Sequence, residues 1–327
     1  MHSHRNFASI LITGALVSVA LAACAEGPAA TGSFDRDFTV SGHTRLEITN
    51  ASGDVSITGS ADGKIHVHGD VRASGSSMKA AHEKLSDIQS HPPVEQTSEG
   101  VRIGSDVVRL HNASISYTIE VPRDTEVSSN VASGAQTVRN LRGPIKLQSA
   151  SGSLRAEHIA GAAQLNSLSG TVTASDMGDT VRGTSASGDV SIDHAKNDVR
   201  LSVQSGNIRV SNPGGRVEAD LVSGNVDVFG AAGDVKVHGI SGRLSVQGNP
   251  AAASFWELRN VSGGIDIAVP PGANFHLLAE ASTGEIRADI PIVIEEQGKH
   301  SLRAQVGTGG GRIEVHNTSG EIHLLSK

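Results

Sequence analysis

Three side chains able to ligate a metal, His158, Asp176 and His194, stand 18 residues apart in this 327-residue chain. Two imidazoles and a carboxylate could hold Zn²⁺ with one position open. Imidazole binds in its neutral form, so such a site would weaken as the pH falls below about 6.5. Only an architecture that advances 18 residues per coil would stack the three as successive rungs, about 4.8 Å apart. The same column runs through Asn140, Asn212, Gly230 and Gly248. Asn, Asp and Gly are the residues of a tight turn, so the expected reading is a corner and the metal site is its rival. His66 and His68, in "IHVHG", share one face of an alternating stretch and are expected on the solvent side of a strand. "GTGGG", from Gly307, has the glycines of a phosphate loop but lacks the following Lys and helix. The many Ser-Gly serines are not set in Gly-x-Ser-x-Gly, and a feature repeated in every coil reads as structural, so no catalytic residue is assigned and no cofactor is implied.

The elements that would position these residues follow from a repeat. Ser-Gly pairs begin at Ser133, Ser151, Ser169, Ser187, Ser205, Ser223 and Ser241, each 18 residues after the last. The second and fourth residues after each glycine are mostly apolar, as in Val190 and Ile192, Ile208 and Val210, and Val226 and Val228. Alternation of this kind marks a strand with one buried face. A second turn signal lies nine residues past each glycine, at Gly143, Gly161, Asp179, Asn197, Gly215 and Gly233, with another alternating run behind it. Two short strands cannot bury their apolar face alone, so each unit must stack on the next. The chain is therefore predicted to be all-β, a single parallel β-solenoid of 18-residue coils with two strands per coil.

The heptapeptide "ASGDVSI" at Ala51 and again at Ala186 extends the pattern, as do "SGGIDIAV", "TGEIRADI" and "SGEIHLLS" near the C-terminus, where spacings of 21 from Ser241 to Ser262 and from Ser262 to Thr283 read as bulged or extended corners, one carrying Phe255-Trp256. Two stretches break the period. "SSMKAAHEKLSDIQS" places Met78, Ala81, Leu85 and Ile88 near one helix face and ends at His91-Pro92-Pro93. "IPIVIEEQGKHSLRAQV" reads as a hairpin turning at Gln297-Gly298. Both are read as caps over the ends of the solenoid, which would otherwise expose strand edges and core. The division expected is a signal at 1–23, a linker at 24–36, N-terminal strands and helical cap at 37–132, regular repeats at 133–260, and irregular coils with a C-terminal cap at 261–327.

Composition narrows the function. Aromatic residues are 2% of the chain and Gly numbers 38, so the core must be built of small and β-branched aliphatics. A net charge of -7 argues against nucleic-acid binding, which needs a basic face. The run "FASILITGALVSVALAAC" is too short and interrupted for a membrane span but suits an export signal. Its end, Leu21-Ala22-Ala23-Cys24, resembles the bacterial lipoprotein signal, which implies lipidation of Cys24, the one cysteine. That resemblance implies attachment to a membrane through Cys24, and Ala25 after it implies the outer membrane of a diderm envelope.

The "SGDVSI" and "SGNIRV" units, the helix after "HVHGDVRASGS", the segment "VEQTSEGVRIGS" and "YTIEVPRDTEV" leading into the regular block together resemble the bacterial putative-adhesin family, a domain of unknown function in envelope and secreted proteins. The resemblance implies a β-solenoid with an adhesive or surface role and supplies no active-site residues. The function expected is a non-catalytic, lipid-anchored envelope protein offering a surface to an envelope or extracellular partner. The alternative is a β-helix enzyme acting on polysaccharide, a lyase or glycoside hydrolase. It would need clustered carboxylates in a cleft and aromatic faces for sugar.

Overall fold

The computed structural model describes residues 27–42, 44–104 and 110–327. Its strands form two sheets, one of 14 and one of 15 strands, and each regular coil gives one strand to each sheet. Pairing advances in step with the repeat: Val190 lies beside Ile208 and Ile208 beside Val226 in one sheet, while Ser169 lies beside Ser187 in the other. Val190, Ile192, Ile208, Val210, Val226 and Val228 are buried between the sheets, and Ser191 and Arg209 face outward, as the alternation predicts. The parallel β-solenoid read from the sequence is the observed architecture.

The Ser-Gly pairs form one corner. Their glycines adopt φ between 121° and 136° from Gly134 to Gly263, a region closed to other residues. Each glycine amide donates to the serine carbonyl of the next coil, as from Gly206 to Ser223 at 3.1 Å. Beside this column runs a ladder of carboxamides. Asn207 Nδ2 donates to Asp189 Oδ1 at 3.0 Å and Asn225 Nδ2 to Asn207 Oδ1 at 3.1 Å.

The ends depart from simple sequence order. The coil after Ser262 is not the one carrying Thr283. The last strand pair, Gly311–Ser319 and Ile322–Ser326, inserts between them, so Ser262 pairs with Ser319 and Ser319 with Thr283. At the other end the coil with the first "ASGDVSI" packs directly on the regular block, with Ser52 beside Ser133, while residues 60–122 loop outside it. Residues 29–39, mostly within the expected linker, form the strand Ala29–Thr39, antiparallel to Lys64–Ser74, with Ala30 and Phe34 buried. The helix, Met78–Ser90, is capped by Ser77, whose side chain accepts from the Ala80 amide. It covers the inner side of that strand pair with Ala81, Leu85 and Ile88, whereas Met78, in its first turn, is exposed. The predicted hairpin is present as Val293–Gln297 and Ser301–Val306 and closes the far edge of the 15-stranded sheet.

Candidate functional site

The column of His158, Asp176 and His194 is a corner built from left-handed backbone. Asn140, His158, Asp176, His194 and Asn212 have φ of 58°, 54°, 55°, 51° and 52°, and Gly230 continues at 73°. Gly248, at the end of the column, departs through a register shift between Phe229 and Ala231 on the neighbouring strand. The left-handed residue has a definite task. It interrupts the alternation so that the next side chain, Leu141, Ile159, Met177, Ala195, Pro213 or Ala231, turns inward and plugs the core at the bend. His, Asp and Asn tolerate this conformation better than other residues bearing a Cβ.

The three candidate ligands do not converge. His158 Nε2 lies 3.3 Å from Asp176 Oδ2, but His194 turns its Nδ1 to the adjacent Asp193 Oδ2 at 2.8 Å. Asp193 in turn accepts from Asn212 Nδ2 at 3.4 Å. Among the described residues no group of three or more His, Cys, Asp or Glu is arranged to hold a metal. Titrating metal-free protein with Zn²⁺ is expected to give no saturable heat, with an Asp176→Ala and His194→Ala double variant behaving alike. For the same reason His194→Asn should leave the unfolding midpoint nearly unchanged, whereas His194→Val should cost about 1–2 kcal/mol. Saturable zinc binding lost in the double variant would restore the metal reading.

His66 and His68 face outward, as expected, and are paired with carboxylates. His66 Nδ1 meets Asp37 Oδ1 and His68 Nδ1 meets Asp35 Oδ1, each at 2.7 Å, across the antiparallel pairing of Ala29–Thr39 with Lys64–Ser74. His68 Nε2 also lies 3.3 Å from Asp70 Oδ1. The hydrogen bond to Asp35 holds His68 above its ordinary imidazole value, opposed by burial and supported by Asp70. A folded value raised above the unfolded one means that this contribution is complete below about pH 6.5 and is lost as the pH rises through the folded value. Hydrogen exchange of residues 29–39, corrected for intrinsic rate, should therefore show protection falling on that rise. Asp35→Asn should flatten the dependence. An unaltered profile in the variant would remove His68 from the account.

The outward rows of both sheets are laced by ion pairs between neighbouring coils. Glu157 is gripped by Arg155 and by Arg139 from the previous coil, at 2.5 Å for the latter, and Arg216 meets Asp234 at 2.6 Å. Arg200 lies 3.5 Å from Glu218. The Arg155 and Arg139 side chains hold the Glu157 carboxyl below the usual range. Asp234 is lowered by the Phe255 amide and Arg216, and Asp179 by the Asn197 side chain and the Thr180 amide. A general acid for glycoside cleavage needs a carboxyl shifted upward, the opposite of these three.

Cys24, the signal before it and Ala25 lie outside the described residues. Among the described residues no helix is long and apolar enough to cross a membrane.

A two-sheet parallel β-solenoid with intercalated, capped ends defines the class. The chain belongs to the Toastrack DUF4097 family, whose model matches residues 43–325. It is similar to a putative cell adhesion protein from Clostridium sporogenes at 13% identity, over 90% of this chain and 100% of that one, with a TM-score of 0.22. It is also similar to a putative lipid binding protein from Parabacteroides distasonis, at 12% identity over 91% and 97% of the two chains and a TM-score of 0.38. A putative adhesin from Parabacteroides merdae matches at 10% identity, 91% and 97% coverage and a TM-score of 0.32. No curated protein matches.

Proposed function

We propose that this chain is a non-catalytic, adhesin-like protein of the cell envelope, anchored through lipidated Cys24 in the outer membrane and presenting its solenoid to an envelope or extracellular partner. The observation that carries the reading is the pair of long outer faces, 14 and 15 strands in extent, whose charged side chains neutralise one another from coil to coil. At about 4.8 Å per strand such a face runs to roughly 60 Å, the extent of a binding surface more than of a reaction centre. Glu157, Asp179 and Asp234 are tied to arginines, amides and backbone donors on these faces. Groups held ionised in this way shape recognition and do not donate protons.

The anchor is tested by fractionation. Wild-type protein is expected to partition with membranes and Cys24→Ala to appear soluble or unprocessed, because a diacylated cysteine anchors a chain to the bilayer and no helix among the described residues is long and apolar enough to cross one. Wild-type protein found wholly soluble would contradict the anchor.

A further inference from the structure

The "GTGGG" loop and the extended corner before Phe255 are far apart in sequence, yet they meet on the surface of the solenoid. Together they line an open cleft of ≈ 370 Å³ bounded by Ala252, Ala253, Ser254, Phe255, Gly310 and Arg312. Both walls are fixed by hydrogen bonds. The Arg312 amide donates to the Ser254 carbonyl at 2.9 Å, and Asn274 Oδ1 accepts from both the amide and the hydroxyl of Thr308, at 2.8 and 3.0 Å. Gly310, at φ 146°, and the two alanines leave the walls bare of bulk.

Phe255 sets the character of the cleft. In a chain so poor in aromatics, Tyr117, Trp256 and Phe275 are spent on the core, but Phe255 points outward and is 37% exposed. The Arg312 guanidinium stands over its ring at 5.7 Å and is also paired with Glu314. An anion would have to draw Arg312 from Glu314, and a cation would have to displace Arg312 from both the ring and the carboxylate. A neutral molecule need only shift the guanidinium from the ring and leaves its pairing with Glu314 intact. A pyranose ring carries one face of C–H groups that stacks on an aromatic surface and an edge of hydroxyls that both donate and accept. Arg312, in the wall of the cleft, offers a donor to that edge. The geometry points to a binding site for a neutral saccharide ring in this cleft, stacked on Phe255 and held through its hydroxyls by Arg312.

The inference rests on the surface-binding reading above and names the chemistry of one partner. Phe229 supplies the control. It too lies under an arginine, Arg209, at 5.4 Å, but on the open face of the other sheet. The full chain in detergent is titrated by calorimetry with maltotriose, cellotriose and tri-N-acetylchitotriose, with trigalacturonate as the anionic comparison. At least one neutral trisaccharide should bind, at least tenfold more weakly in Phe255→Ala and several-fold more weakly in Arg312→Lys. Phe229→Ala should bind as wild type. Thermal midpoints should be unchanged in Phe255→Ala, since its ring leaves no hole in the core. No binding by any neutral probe, tighter binding of trigalacturonate, or equal losses in Phe255→Ala and Phe229→Ala would overturn the proposal. Adhesion of cells carrying the Phe255→Ala chain separates the two readings. Sugar binding without any wild-type adhesion removes the adhesive reading and leaves the cleft, while wild-type adhesion without sugar binding does the reverse.

Discussion

Gly224→Ala is expected to lower the stability of the solenoid by about 2–4 kcal/mol, more than any surface change on the same coil. A Cβ at this position would lie 1.9 Å from the carbonyl oxygen of Gly206, and the backbone there has φ 129°. Neither problem can be relieved locally. The clash is with backbone, not with a flexible side chain, and Gly206 is itself pressed against Gly188 in the coil before. Moving one rung therefore strains the hydrogen bonds that run from Gly206 to Ser223 and from Gly224 to Ser241, both at 3.1 Å. Gly63→Ala, where a Cβ meets nothing within 4 Å, should leave the midpoint in chemical denaturation unchanged. Equal tolerance of both substitutions would mean that the Ser-Gly corner is not close-packed.

Ile208→Asp should be as damaging, at several kcal/mol, because its side chain is fully buried between Val190 and Val226 and a carboxylate there would have no partner. Its outward counterpart is nearly free. Ser191 stands beside Arg209 on the outer face, so Ser191→Asp adds an opposite charge across one rung and should shift stability by less than about 0.5 kcal/mol. Denaturation midpoints of the two variants check the assignment of faces. Sensitivity at Ser191 with indifference at Ile208 would mean that the faces are reversed.

The interior of the array was legible because two local signals coincide there. A glycine needing a special backbone recurs with the period of the coil, and the apolar alternation restarts after each one, so the register of Val190, Ile208 and Val226 followed directly. The corner at His158, Asp176 and His194 was legible for the same reason, since Asn and Gly in other coils betray a turn that two histidines alone would disguise. What stayed hidden depends on contacts that no period carries. The spacing from Ser262 to Thr283 looks like one extended coil, but a strand pair drawn from beyond the hairpin lies between them. Residues 29–36 read as linker because their apolar positions are few, and only the antiparallel pairing of Ala29–Thr39 with Lys64–Ser74 brings Asp35 and Asp37 to the two histidines. The cleft at Phe255 was invisible because it needs two irregular corners to meet.

The most direct test of the adhesin-like, non-catalytic account is to incubate the full chain with a panel of envelope and extracellular polysaccharides. Retention of polymer and release of unsaturated uronate or reducing ends are followed in the same samples. The account predicts retention with no bond cleaved. Turnover that a single carboxylate substitution abolishes would contradict it and make the solenoid the scaffold of an enzyme.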